Sequence, residues 1–253
     1  MRLTEALGNG NFALMVRLDA KAPSLAADHI KLVARRLFAE KGVDGVTVRE
    51  IAMAAGQRNH GAVGYHFGSK EALVREIVRD GAILIDARRN EALDRLEAAG
   101  GPGCVGEVVE VLVRSAVDLG DAGGGEDTYI RFVTMLGMTH RELFLRSLEG
   151  RWNAGYLRCL EHLRRLMPPM PAAQKNQRFV FMGALLSGVL SMREAALADA
   201  SRPHPLWQSG ETLRHFIQTV TALLEAPATA APARADSDAA GAGPVPSSIA
   251  AAP

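Results

Sequence analysis

Arg58, Asn59 and His60 stand in a row shortly after a glycine, Gly56, and are followed at short range by Tyr65, His66 and Lys70. Side chains of these types suit nucleic acid. An arginine fork pairs bidentately with guanine and an asparagine amide with adenine, each worth about 1–3 kcal/mol of discrimination. Tyrosine, histidine and lysine reach phosphate oxygens, which fix position and carry no sequence information. Which of Arg58, Asn59 and His60 meets a base stays open at this level. Thr47 adds a possible anion contact, because a helix N-cap lies beside N–H groups that can hold a phosphate.

The elements that must position these groups are legible around them. Thr47 and Glu50 have the T-x-x-E spacing of a capping box, Ile51 and the alanines after it supply a small apolar face, and Gly56 permits a tight turn. A second helix is expected from roughly Arg58 to His66, with Ala62, Val63 and Phe67 turned inward. Upstream, Ile30, Val33, Ala34, Leu37 and Phe38 follow helical periodicity up to Gly42. Downstream, Ser69 is the expected N-cap of a long helix through Leu73, Val74, Ile77, Val78 and Ile85, stopped by the Gly-Gly-Pro-Gly run at 100–103.

The run Tyr65-His66-Phe67-Gly68-Ser69-Lys70-Glu71-Ala72-Leu73 resembles the end of the DNA-binding domain of TetR-family transcriptional regulators. Residues 29–42 and 46–56 are similar to that family's first and second helices. The likeness covers residues 28 to about 75. It departs between Gly56 and Tyr65, where the turn is one residue longer than the commonest spacing, as in one branch of the family. Gly64 stands there in place of a larger residue and weakens the helix by up to about 1 kcal/mol relative to alanine. The resemblance implies that Tyr65, His66 and Lys70 contact phosphates; Thr47 as a phosphate contact and Arg58, Asn59 and His60 as candidate base readers rest on their own chemistry.

The rest of the chain reads as helices. They are expected over Val105–Leu119, over Thr128–Met167 with breaks near Thr139 and Gly150, over Ala172–Ala200 and over Leu206–Glu225, with a glycine-rich loop at 120–125. The expected fold is all-α: an N-terminal three-helix helix-turn-helix DNA-binding domain (25–75) and a helical ligand-binding and dimerisation domain (76–226). They are flanked by an N-terminal arm (1–24), at least partly flexible, and a disordered Ala/Pro/Ser/Gly tail (227–253). The resemblance implies a small-molecule effector pocket, for which Phe132, Met135, Leu136, Met138, Trp152, Tyr156, Phe179 and Met182 are the adaptable apolar candidates. It also implies a homodimer through the last two helices, with Phe181, Ala184, Leu185, Ser187, Gly188, Ser191, Phe216 and Val220 as candidates and a palindromic operator as the consequence.

Composition narrows the classes. A net charge of +1 argues against a nonspecific nucleic-acid coat and fits a positive charge that is local. Cys104 and Cys159 lack C-x-x-C spacing, so neither a disulfide framework nor a zinc site is expected; no metal or cofactor is expected, and a reducing cytoplasm fits. No continuous run of about 18 apolar residues occurs, so no membrane span or membrane partner is expected. His140 and His162 lie among charged residues and are expected at the surface. No P-loop, G-x-S-x-G or H-E-x-x-H is present, which disfavours an enzyme. The sequence reading is a ligand-responsive dimeric repressor of palindromic double-stranded DNA, released by a small lipophilic molecule. The alternative is a helical adaptor that has kept the fold and lost operator binding.

Overall fold

The computed structural model describes residues 25–120 and 127–228, so the N-terminal arm, most of the glycine-rich loop and nearly all of the C-terminal tail lie outside the described residues. Among the described residues every regular element is a helix: α1 (Leu25–Lys41), α2 (Val48–Ala54), α3 (Ala62–Phe67), α4 (Lys70–Ala98), α5 (Val105–Arg114), α6 (Tyr129–Thr139), α7 (Arg141–Leu148), α8 (Ala154–Leu166), α9 (Ala172–Ala198), α10 (Pro205–Gln208) and α11 (Gly210–Glu225).

Local chemistry explains most ends. Gly56 closes α2 at φ +64°, a conformation that costs a residue with a Cβ, and its N–H reaches the Met53 carbonyl at 3.0 Å. Ser69 caps α4 by accepting the Ala72 N–H at 3.0 Å. The expected break near Gly150 is a short irregular stretch in which Glu149, Gly150 and Trp152 all take positive φ. Three expected helices are shorter than their patterns: α5 ends at Arg114 rather than Leu119, α9 at Ala198 rather than Ala200, and Ser209 divides the last expected helix into α10 and α11.

One hydrophobic core runs from α1 to α11 without interruption. α1 lies on α6, α4 lies on α7 and α8, α5 packs on α8 and α11, and α9 bridges α6 and α11. The N-terminal helices α1–α3 are thus seated on the rest of the chain by side chains as well as by the continuous α4. The Phe38 and Phe132 rings stack, Lys31 Nζ lies 2.6 Å from Asp80, and His140 Nε2 lies 3.1 Å from Asp44. Tyr129 donates to the Val78 carbonyl at 2.7 Å and lays its ring where a Cβ on Gly81 would stand, so glycine is required for that approach.

Two expectations about environment are refined. Cys159 is buried and Cys104 exposed, both as free thiols, and burial pushes the Cys159 thiol up to about 11. α9 has the length and mean hydropathy of a membrane span, 1.4 over its most apolar window, although only 14 residues, 179–192, separate Arg178 from Arg193. Length and composition alone are weak grounds for a span, and part of this helix is built into the core through Phe179, Met182, Leu186 and Leu190.

Candidate nucleic-acid interface

The expected capping box is present. The Thr47 hydroxyl accepts the Glu50 N–H at 3.2 Å and donates to the Glu50 carboxylate at 2.9 Å, and that carboxylate takes the Thr47 N–H at 2.8 Å. These bonds hold the Glu50 carboxyl below its usual value. Thr47 therefore orients the first turn of α2, whose outer face exposes Arg49 and Met53.

Helix α3 begins at Ala62, four residues later than its sequence pattern suggests. The reason is Asn59, which folds back on its own turn: its side-chain oxygen accepts the Gly61 N–H at 2.8 Å and its carbonyl accepts the Ala62 N–H at 3.1 Å. Arg58, Asn59 and His60 consequently form an exposed turn ahead of α3 rather than its first turn. Arg58 and His60 are placed to reach outward. Asn59 has one lone pair of its amide oxygen engaged by the Gly61 N–H, so a two-point pairing with adenine would have to use the other.

The outward face of α3 is nearly bare. Gly64 and Tyr65 are exposed on the helix itself, Gly61 and Gly68 are exposed as its N-cap and C-cap, and a Cβ on Gly64 would meet nothing within 4 Å. Tyr65, 76% exposed, is the one large side chain of this face and stands edge-on to His66 at 5.0 Å. Behind it, Ala62 and Val63 are buried and Phe67 packs on the core, as expected. The glycines are visible in the sequence, but helix propensity registers Gly64 only as a weakening of the helix.

Two residues expected at phosphates are occupied otherwise. Lys70 Nζ donates to the Val43 and Val46 carbonyls at 2.9 and 3.0 Å, so it pins α4 to the loop between α1 and α2. His66 is half-buried, with Nδ1 shut off from solvent and without a hydrogen-bond partner, and its ring lies between Tyr65 and Phe67. Charge still favours an anion here: residues 25–75 carry eight Lys/Arg against five Asp/Glu, an excess of three where the whole chain has one.

The other predicted sites divide. Phe132, Leu136, Tyr156, Phe179 and Met182 are buried, Met135 lies beside Gly42, Trp152 is more than a third exposed and Met138 is exposed. Phe132 is committed to Phe38 and Phe179 to the Arg164 guanidinium at 5.1 Å, so much of the expected pocket lining is interhelical packing. A groove of about 200 Å³ between α1 and α4, bordered by Lys31, Arg35 and Asp80, includes none of them. Of the residues expected between subunits, Phe181, Ala184 and Gly188 face outward, and Leu185 and Ser187 are half-buried. Phe216 and Val220 do not: they are buried against the rest of the monomer, since the α11 stripe that contains them packs on α5 and α9. Ser191 turns inward too, donating to the Thr134 hydroxyl at 3.0 Å.

Residues 32–77 match the family model for bacterial regulatory proteins of the tetR family. The chain is 36% identical over 72 residues to the HTH-type transcriptional repressor KstR2 of Mycolicibacterium smegmatis, which covers 28% of this chain and 35% of that protein. It is 42% identical over 60 residues to the HTH-type transcriptional repressor AcnR of Corynebacterium glutamicum, covering 24% and 31%. The matched stretch thus spans about a third of those relatives. Among solved structures, the TetR family transcriptional regulator PfmR of Thermus thermophilus is similar over 76% of this chain and 96% of its own, at 24% identity and a TM-score of 0.46. With the capped α2, the Gly56 turn and the outward α3 all inside the matched segment, residues 32–77 are similar in sequence and in local structure to the helix-turn-helix domain of the tetR family of bacterial regulatory proteins.

Proposed function

We propose that this chain is a dimeric transcriptional repressor that binds a palindromic operator in the cytoplasm and releases it when a small molecule binds the helices beyond residue 76. The observation that carries the reading is the exposed surface made by Arg49, the Arg58–His60 turn and the glycine-lined face of α3 with Tyr65, within the segment that matches the family. A helix with so little on its outer face can sit deep in a major groove, and the basic turn at its N-terminal end then meets base edges and phosphates. Tyr65 and Arg49 take the phosphate role that Lys70 and His66 were expected to fill.

In this reading the segment 25–75 reads DNA, and 76–226 binds ligand and dimerises. Ligand binding shifts a population: it weakens DNA binding only by its differential affinity for the two arrangements of α4 and the DNA-binding unit. Val180, Phe181, Ala184, Gly188 and Met192 form an exposed, mostly apolar stripe on α9 that supports pairing with a second copy.

The test is selection of bound genomic fragments by the purified protein at near-physiological salt, with Arg58→Ala alongside. Enrichment of one or a few palindromic sites, weakened or altered in preference by Arg58→Ala, is the expected result. A folded protein that enriches no site overturns the operator-binding role and leaves the helical adaptor.

A further inference from the structure

Ala82, Ile85, Arg89 and Leu93 follow one another at i, i+3, i+7 and i+11 on α4, so Arg89 occupies a core position in an otherwise apolar stripe. It is 4% exposed. α8 approaches so closely there that a Cβ on Gly155 would come within 2.6 Å of the Arg89 Cβ, which closes the site from that side. A buried guanidinium is normally held by a carboxylate, because desolvating an unpaired charge is expensive.

Arg89 has no such partner. Among the described residues no carboxylate lies within ion-pair distance of it. Its Nε donates to the Ser115 hydroxyl at 3.2 Å, its guanidinium lies 5.5 Å from the Tyr156 ring centroid, and one terminal nitrogen is buried with no hydrogen-bond partner. Asp86, one turn earlier, is the acidic group that acts on it electrostatically, but both Asp86 oxygens are engaged, one by the Gly155 N–H at 2.8 Å and the other by the Asn90 amide at 3.2 Å. The remaining neighbours, Tyr129, Tyr156 and Cys159, are kept neutral by burial. At the C-cap of α5 the facing group is Ser115, whose hydroxyl hydrogen goes to the Leu112 carbonyl at 3.1 Å.

We infer that Arg89 anchors the anionic group of a small, otherwise apolar ligand that enters among α4, α5 and α8 and carries a single carboxylate. One orphaned nitrogen and one uncompensated charge match a monoanion better than a phosphate, whose second charge would find no further donor. The apolar part rests against Tyr156 and the surrounding aliphatic core. Arg89 lies 19 residues, about 28 Å, along α4 from Lys70, on the helix that follows α3 directly, so a ligand there acts on the element that carries the DNA-reading turn. The inference rests on the ligand-responsive reading above and names the chemistry of its ligand.

The experiment needs no DNA. Thermal unfolding of the full chain, in a buffer free of carboxylates, is followed with decanoate and benzoate as probes and decanol and benzamide as their uncharged counterparts. The expected result is a concentration-dependent rise in Tm of several degrees with at least one carboxylate and none with its neutral counterpart. The Arg89→Met variant, with the unpaired charge removed, should show an unchanged or higher Tm without ligand and no response to the carboxylate. If that variant does not fold, Arg89→Lys serves, with binding expected to weaken at least ten-fold. Absence of a shift with both carboxylates, equal shifts with the neutral compounds, or an unchanged response in the Arg89 variant overturns the inference. A carboxylate response without operator enrichment would keep this site and remove only its regulatory role.

Discussion

Phe132 on α6 stacks on Phe38 of α1 with ring centroids 5.9 Å apart and planes 27° from parallel. Both rings are fully buried, and the pair joins the N-terminal helices to those beyond residue 76. Because the core continues through it, the two parts should unfold together. We expect one cooperative denaturation transition for the wild type. Phe132→Ala should lower stability by about 3–5 kcal/mol, the usual cost of removing a buried aromatic ring. Separate melting of residues 25–75 in the wild-type protein, followed by hydrogen exchange, would count against this coupling.

Gly64→Ala should separate stability from DNA binding. The added methyl meets nothing within 4 Å, and alanine gains up to about 1 kcal/mol over glycine in a helix interior. If α3 works by close approach of its bare face to a groove, the same methyl intrudes there. The variant is expected to melt at a higher temperature and bind its operator less tightly, by gel shift at fixed salt. Tighter binding in the stabilised variant would show that Gly64 has no part in the approach.

Much of this arrangement is readable in the sequence, for physical reasons that differ by residue. The capping box at Thr47 and Glu50, the Gly56 turn and the Ser69 cap are local signals, set by side chains that bond to backbone within three residues, and each is where its pattern puts it. The start of α3 differs from its pattern because Asn59 competes for its own turn, a choice among local hydrogen bonds that periodicity does not register. The two contacts of Lys70 are illegible for the opposite reason: its partners are the Val43 and Val46 carbonyls, far back in the chain. Phe216 and Val220 show a third limit. A helix stripe marks a buried face, but not whether the burying surface belongs to the same chain. The Arg89 anomaly is present in the spacing of α4 but not legible there, since a charge within a long helix reads as surface until its neighbours are known.

Glu194 predicts a pH dependence. It is 3% exposed, and its carboxyl group accepts the Ile130 and Arg131 N–H groups at 2.9 and 2.7 Å, closing the N-terminus of α6 from a different helix. Burial, with the charge of Asp127 adding to it, pushes its pKa up to about 8 against the opposing pull of those two amides. The folded state therefore keeps a proton that the unfolded chain releases near 4.5, its ordinary value. This stabilising contribution is complete below that value and is lost as pH rises toward about 8. Tm should fall between about pH 5 and pH 8.5, and Glu194→Gln, which cannot ionise, should flatten that decline. An identical slope in the two proteins would assign the pH response elsewhere.

The outward stripe of α9 gives the sharpest test of association, because inward and outward residues alternate along the same helices. Phe181 and Met192 are 56% and 63% exposed, while Phe216 on α11 is 9% exposed. Were the protein a monomer, α9 would present bulky apolar groups to water with nothing to cover them, and a charge placed there would be harmless. In a dimer the same charge lies in a dry, close-packed contact and leaves an unpaired buried ion. Phe181→Arg is therefore expected to yield a folded monomer by sedimentation, with operator binding weakened because two half-sites no longer share one protein. Phe216→Ala is expected to act differently, costing about 3–5 kcal/mol of monomer stability by opening a cavity against α5. A Phe181→Arg protein that sediments as the wild type does would move the association surface off α9.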